Sequence, residues 1–183
     1  MTSSQLNRFA AATAFAALTT FAVRPAHAQK QAGGAKLDDP TIVAIFDVAN
    51  TWDIQTGMLA EKKGSTKVVR DFGAMLVRDH TNVRQQGRDL AKKLSVTPTP
   101  PKDFAMTKDH DAAMKKLRGL SGKEFDKAFL QNEVDYHKAV INAMTTTLLP
   151  ALQNAEVKDL VTKVAPAFAA HEAAAQNLLD KGE

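Results

Sequence analysis

The sequence has no cysteine. Disulfides, thiolate metal ligands and thiol nucleophiles are therefore excluded, and the fold must hold itself together by packing. Aromatic residues are sparse, with one Trp, one Tyr and nine Phe in 183 residues. No basic cluster interleaves with them, so nucleic acid is not indicated as a partner. Strand-like alternation of apolar and polar residues is missing, which argues against an outer-membrane barrel. Gly33-Gly34 stands alone and makes no phosphate loop. Ser and Thr gather at prospective caps and turns, so no catalytic Ser-His-Asp triad is supported. No catalytic residue set emerges.

Only one long apolar run is present, Phe9 to Val23. With Asn7-Arg8 before it and Ala26-His27-Ala28 after it, the run reads as a secretory signal peptide cleaved near Ala28. It is too short to span a bilayer comfortably. Cleavage would remove Arg8 and Arg24 from the 24 basic residues and leave all 20 acidic ones, so the alkaline isoelectric point says little about partners. The expected organisation is a signal peptide over 1–28, a disordered leader over 29–39 and one helical domain over 40–183. The expected location is periplasmic or secreted, with no transmembrane anchor after cleavage.

The rest of the chain has helical periodicity. Asp39-Pro40 reads as an N-cap followed by proline in the first turn, opening a helix to about Lys63. Gly64 ends it, and Ser65 or Thr66 caps a second helix to about Leu94. The turn between them is so short that the two must be antiparallel. VTPTPP, from Val96 to Pro101, is a stiff extended connection. A short helix follows from about Thr107 to Arg118. Ser121-x-x-Glu124 reads as a capping box for a third long helix ending at Pro150. The fourth runs from about Asn154 to Leu179, with Pro166 predicting a kink. These elements predict an all-α four-helix bundle with a short extra helix between helices 2 and 3, open to either an up-and-down order or a ferritin-like crossover.

Three histidines lie on apolar stripes of different long helices: His80, His137 and His171. Asp53 holds the same kind of position in the first helix, and Glu133 lies one turn before His137. Stacked together, these five would bring nitrogen and oxygen donors to one level of the bundle, as metal sites in helical bundles do. The levels match only approximately, because Asp53 lies about one turn closer to Gly64 than His80 does. The alternative is a structural hydrogen-bonded layer pairing Asp53 with His80 and Glu133 with His171. Asp79 and Glu172 neighbour histidines but point about 100° away, which suits outer support or solvation. Asp109-His110-Asp111 reads as solvated surface. Tyr136 and Trp52 flank the layer, with Tyr136 able to donate to a carboxylate. Met58, Met75 and Met144 read as filler on or near inner faces.

Two segments are the most distinctive, MLVRDHT at Met75 to Thr81 and LSGKEFD at Leu120 to Asp126. With Trp52-Asp53-Ile54, Met58-Leu59-Ala60, His137, Pro166 and His171, they resemble the exported bacterial domain-of-unknown-function family 4142. Its members are often labelled outer-membrane proteins, and the resemblance implies a ferritin-like helical fold. It brings no assigned activity and hence no functional residues. Relative to di-iron bundles, Asp53 and Glu133 could fill the lone-carboxylate roles. The Glu-x-x-His pairs are missing, since Val77 precedes His80 and Phe168 precedes His171 at that spacing. A single transition-metal ion held by several imidazoles is the variant this pattern permits. The functional expectation is a non-enzymatic envelope, stress or partner-binding protein with a buried His/carboxylate layer. The alternative is a metal- or cofactor-binding bundle serving redox or sequestration. Homo-oligomerisation through the Ala-rich face from Ala165 to Ala175, or an envelope protein partner, is the expected association.

Overall fold

The computed structural model describes residues 37–102, 104 and 106–183. The expected signal peptide and the expected leader up to residue 36 lie outside them. The described residues are all-helical and contain no strand. Helix α1 spans Asp39–Lys63 and α2 spans Lys67–Lys93. Helix α3 spans Met106–Gly119 and α4 spans Gly122–Ala143. Helix α4 passes into a π-helical turn, Met144–Leu148, and a three-residue helix α5, Leu149–Ala151. Helix α6 spans Ala155–Asp180 and runs unbroken through Pro166.

The start of α1 is one residue earlier than expected. Asp38 is the N-cap, accepting from the Thr41 amide, and Pro40 sits in the first turn. Asp39 instead accepts from the amides of Gln153 and Asn154, both at 2.9 Å, and ties the start of α1 to the start of α6. Thr66 caps α2 and Asn154 caps α6 through their side chains. Ser121 makes no such bond. The expected capping box fails because Gly122 begins α4 at φ +59°, which turns the first amides away from the Ser121 hydroxyl.

The cross-links between helix ends fix the topology. Lys63 at the end of α1 donates to the Leu117 and Arg118 carbonyls at the end of α3, at 3.1 and 2.7 Å. Ser65 in the α1–α2 turn bonds Asp126 in the first turn of α4. Lys93 at the end of α2 pairs with Glu156 at the start of α6. Helices α2 and α4 therefore run the same way, and α1 and α6 the opposite way. Residues 94–121 must climb the full height of the bundle, starting beside Pro40, where the Thr99 amide meets the Pro40 carbonyl at 3.1 Å. This is the ferritin-like crossover rather than up-and-down order. Helix α3 lies within it, against α1 and α4.

The four long helices pack in the cyclic order α1, α2, α6, α4. Helices α1 and α2 approach most closely at Gly57 and Gly73. A Cβ on Gly73 would lie 2.7 Å from the Gly57 carbonyl oxygen. The apolar core is divided in two. One cluster holds Phe46, Val83, Val140, Met144, Val161 and Phe168. The other holds Ala60, Phe72, Leu76, Phe125, Phe129 and Ala175. Between them, on every long helix, lies a level of buried polar side chains.

Candidate metal centre

Helices α1, α2, α4 and α6 each send side chains into this level. Asp53, His80, Glu133 and His137 are at most 1 % exposed, and His171 is 5 % exposed. The three imidazole rings converge, with centroids 5.6 Å apart for His80 and His137, 5.0 Å for His80 and His171, and 5.5 Å for His137 and His171. One ring nitrogen from each lies within 4.8 Å of the other two. Donor atoms of Asp53, Glu133 and His137 form a second group of the same tightness. All five residues singled out from sequence are thus brought together.

Each ring has a hydrogen-bond acceptor on its outer side. His80 Nδ1 lies 2.9 Å from Asn50 Oδ1, and Asn50 Nδ2 is committed to the Phe46 carbonyl. His137 Nδ1 lies 2.9 Å from the Glu133 carbonyl, one turn back on its own helix. His171 Nε2 lies 3.2 Å from Asp79 Oδ2. An acceptor on one nitrogen places the proton of a neutral imidazole there. His80 Nε2, His137 Nε2 and His171 Nδ1 are then the bare nitrogens. Two of them, His80 Nε2 and His171 Nδ1, are 3.1 Å apart. Lone pairs do not face each other at that distance unless a proton or a cation lies between them.

The carboxylates pose the same problem. Both oxygens of Asp53, Oε2 of Glu133 and Nε2 of His137 are buried with no hydrogen-bond partner. Asp53 Oδ1 lies 3.9 Å from the bare His137 Nε2, and Asp53 Oδ2 lies 3.5 Å from His80 Nδ1. Glu133 Oε2 lies 3.6 Å from His137 Nδ1. A buried unsatisfied group costs about 1–3 kcal/mol, and more when charged. Each of these atoms needs a proton or a cation on it or beside it to be satisfied.

Burial shifts Asp53, Glu133 and the three histidines toward their neutral forms. It holds the Asp53 carboxyl well above the usual range, with the Glu133 charge adding to the effect. It raises Glu133 from 4.5 to about 7. His80 falls from 6.5 to about 2, through burial and then the neighbouring His137 and His171. His137 falls to about 4, mainly through burial. Burial also lowers His171, against the opposing pull of Asp79. Neutral imidazoles are the form that can offer lone pairs to a metal.

Several finer expectations are corrected. Glu133 faces His137 on its own helix, and the carboxylate on His171 is Asp79 from α2. Tyr136 donates to the Ala49 carbonyl at 3.0 Å rather than to a carboxylate. Met58 is 58 % exposed and contributes nothing to an inner face. His110 is not solvated surface: its ring stacks on Trp52 at 4.9 Å between centroids, and its Nε2 lies 2.8 Å from Gln55 Oε1. Burial lowers its pKa. Asn50 was missed. Its signal was the apparent mismatch in level between Asp53 and His80, since Asn50 lies one turn below Asp53 on the same stripe and meets His80 directly.

A cavity of about 270 Å³ opens beside this level, between α1, α3 and α4. Asp53 and Thr56 are among the buried residues that line it.

The fold and site together define an all-helical bundle with a ferritin-like crossover and a buried imidazole/carboxylate level. The family model for a domain of unknown function, DUF4142, matches residues 24–178, and the chain belongs to that family. No curated protein matches the chain, and no solved structure does.

Proposed function

We propose that this chain is a metal-binding bundle that holds one transition-metal ion between His80, His137 and His171, with Asp53 and Glu133 as the adjoining carboxylates. The supporting observation is the set of bare nitrogens and unpartnered carboxylate oxygens facing one another in a buried level. A cation would satisfy those lone pairs together, whereas protons would have to be distributed among them. Asn50, Asp79 and the Glu133 carbonyl orient the rings from outside, as outer partners of metal-bound histidines do. Imidazole and carboxylate donors without thiolate suit borderline divalent ions such as zinc, iron, cobalt or nickel. Three nitrogens and nearby carboxylates suffice to complete the coordination, which favours retention of the ion over turnover of a substrate. In keeping with the signal-like start of the sequence, the work is done in the periplasm or outside the cell.

A second reading is a purely structural layer that fixes helix register in a non-enzymatic envelope protein. The chain of contacts from Asn50 through His80 and His171 to Asp79 supports it. The two separate on His137→Ala. Metal binding predicts lost ion uptake with helicity retained. A structural layer predicts a lower melting temperature and no change in ion content.

A further inference from the structure

We propose that the cavity between α1, α3 and α4 is the port through which a hydrated divalent cation reaches the buried donors. This rests on the metal-binding reading above. The lining changes in character with depth. Asp109, Asp135 and Ala139 are exposed at the mouth, and Asn132, Tyr136, His110 and Ala113 are half-buried along the walls. Trp52, Asp53 and Thr56 are buried at the end. The carboxylate at that end is the one whose two oxygens have no partner, and one of them lies 3.9 Å from the bare nitrogen of His137. Among the described residues, neither lysine nor arginine lines the passage. Carboxylates at the mouth of a low-dielectric cleft concentrate cations there and raise their rate of arrival.

The crossover explains why the port exists at this place. Helix α3 covers the α1–α4 seam without a continuous apolar stripe, burying only Met114 and Leu117. It is held against α1 by the His110–Trp52 stack and the His110–Gln55 bond. The cavity of about 270 Å³ remains in that seam, with both stacked residues in its lining. A fully packed seam would leave an ion no path to Asp53 except through transient separation of the long helices.

The test is the rate of cobalt(II) loading by the purified chain, followed through the visible absorbance of the bound ion. Asp109→Asn with Asp135→Asn is expected to slow loading about tenfold at low salt, with the same final absorbance and a smaller difference at high salt. Ala113→Phe, which narrows the wall, is expected to slow loading at every salt concentration. Asp159→Asn, on the exposed far side of α6, is expected to load at the wild-type rate. Equal rates in all four proteins would overturn the port and leave the metal site standing. No cobalt uptake by the wild-type chain would overturn both.

Discussion

Asn50 hydrogen-bonds one proposed ligand, His80, and decides which nitrogen of that ring carries a proton. Its Oδ1 takes the Nδ1 proton and leaves Nε2 bare toward His171. Asn50→Ala frees the ring to adopt the other tautomer. We expect about a 10- to 100-fold loss of metal affinity with all three imidazoles still present, measured by competition against a chromophoric chelator. Acid and alkali should also act differently on the ion-free protein. Burial raises Asp53 and Glu133, the latter from 4.5 to about 7, so the folded state retains protons that the unfolded chain releases. The stability this gives is fully present below about pH 4.5 and, for Glu133, is lost as pH rises from there through about 7, with Asp53 acting in the same direction. His80 and His137, depressed from 6.5 to about 2 and about 4, act in the opposite sense. The stability they contribute is present above 6.5 and is lost as pH falls toward those values. The two effects oppose each other in between, giving a broad maximum at about pH 5–6.5. Urea midpoints between pH 3 and 9 should trace that curve, and the alkaline decline should vanish once metal replaces the protons. Of this chemistry, the five central residues were legible because their spacing sets them on apolar stripes. Asp79 was legible as outer support but not as the partner of His171, and Asn50 was not legible, because the ring an outer residue serves is known only when a neighbouring helix brings it there.

At the scale of elements, the α1–α2 hairpin is the most demanding contact. A methyl on Gly73 would meet the Gly57 carbonyl at 2.7 Å and the Glu61 amide at 2.8 Å. These atoms are helical backbone and cannot move aside independently. Gly73→Ala is therefore expected to destabilise by about 1–3 kcal/mol. At about 2–4 °C per kcal/mol for a chain of this size, calorimetry would register a fall of several degrees. The helices themselves were readable from period and punctuation, with ends within a few residues. What escaped was how the backbone behaves at the joints. The Ser121 box looks complete in sequence, but the left-handed Gly122 defeats it. The π-helical turn at Met144–Leu148 has no sequence signal beyond a run of threonines before Pro150. Those threonines bond carbonyls one turn back, Thr145 to Ile141 and Thr146 to Asn142, which loosens the regular ladder.

The whole molecule is two apolar clusters separated by a polar level, closed by a crossover that joins the bottom of α2 to the top of α4. The bundle was legible, but the path of residues 94–121 was not. Val96 to Pro101 and a short helix fit either connection, and only contacts such as Lys63 with Leu117 decide it. The same division of the core makes the central claim accessible to a bulk measurement. An ion that binds only the folded state stabilises it by about 2.7 kcal/mol at a hundredfold excess over Kd. No helix of the described residues is long and apolar enough to cross a membrane. The most direct test is elemental analysis of the protein purified from cells given mixed trace metals, paired with its melting temperature before and after chelation. The account predicts about one transition-metal ion per chain and a melting temperature that falls by on the order of 5–10 °C when the ion is removed. Metal far below stoichiometry, together with a melting temperature indifferent to chelator and to added ions, would contradict it.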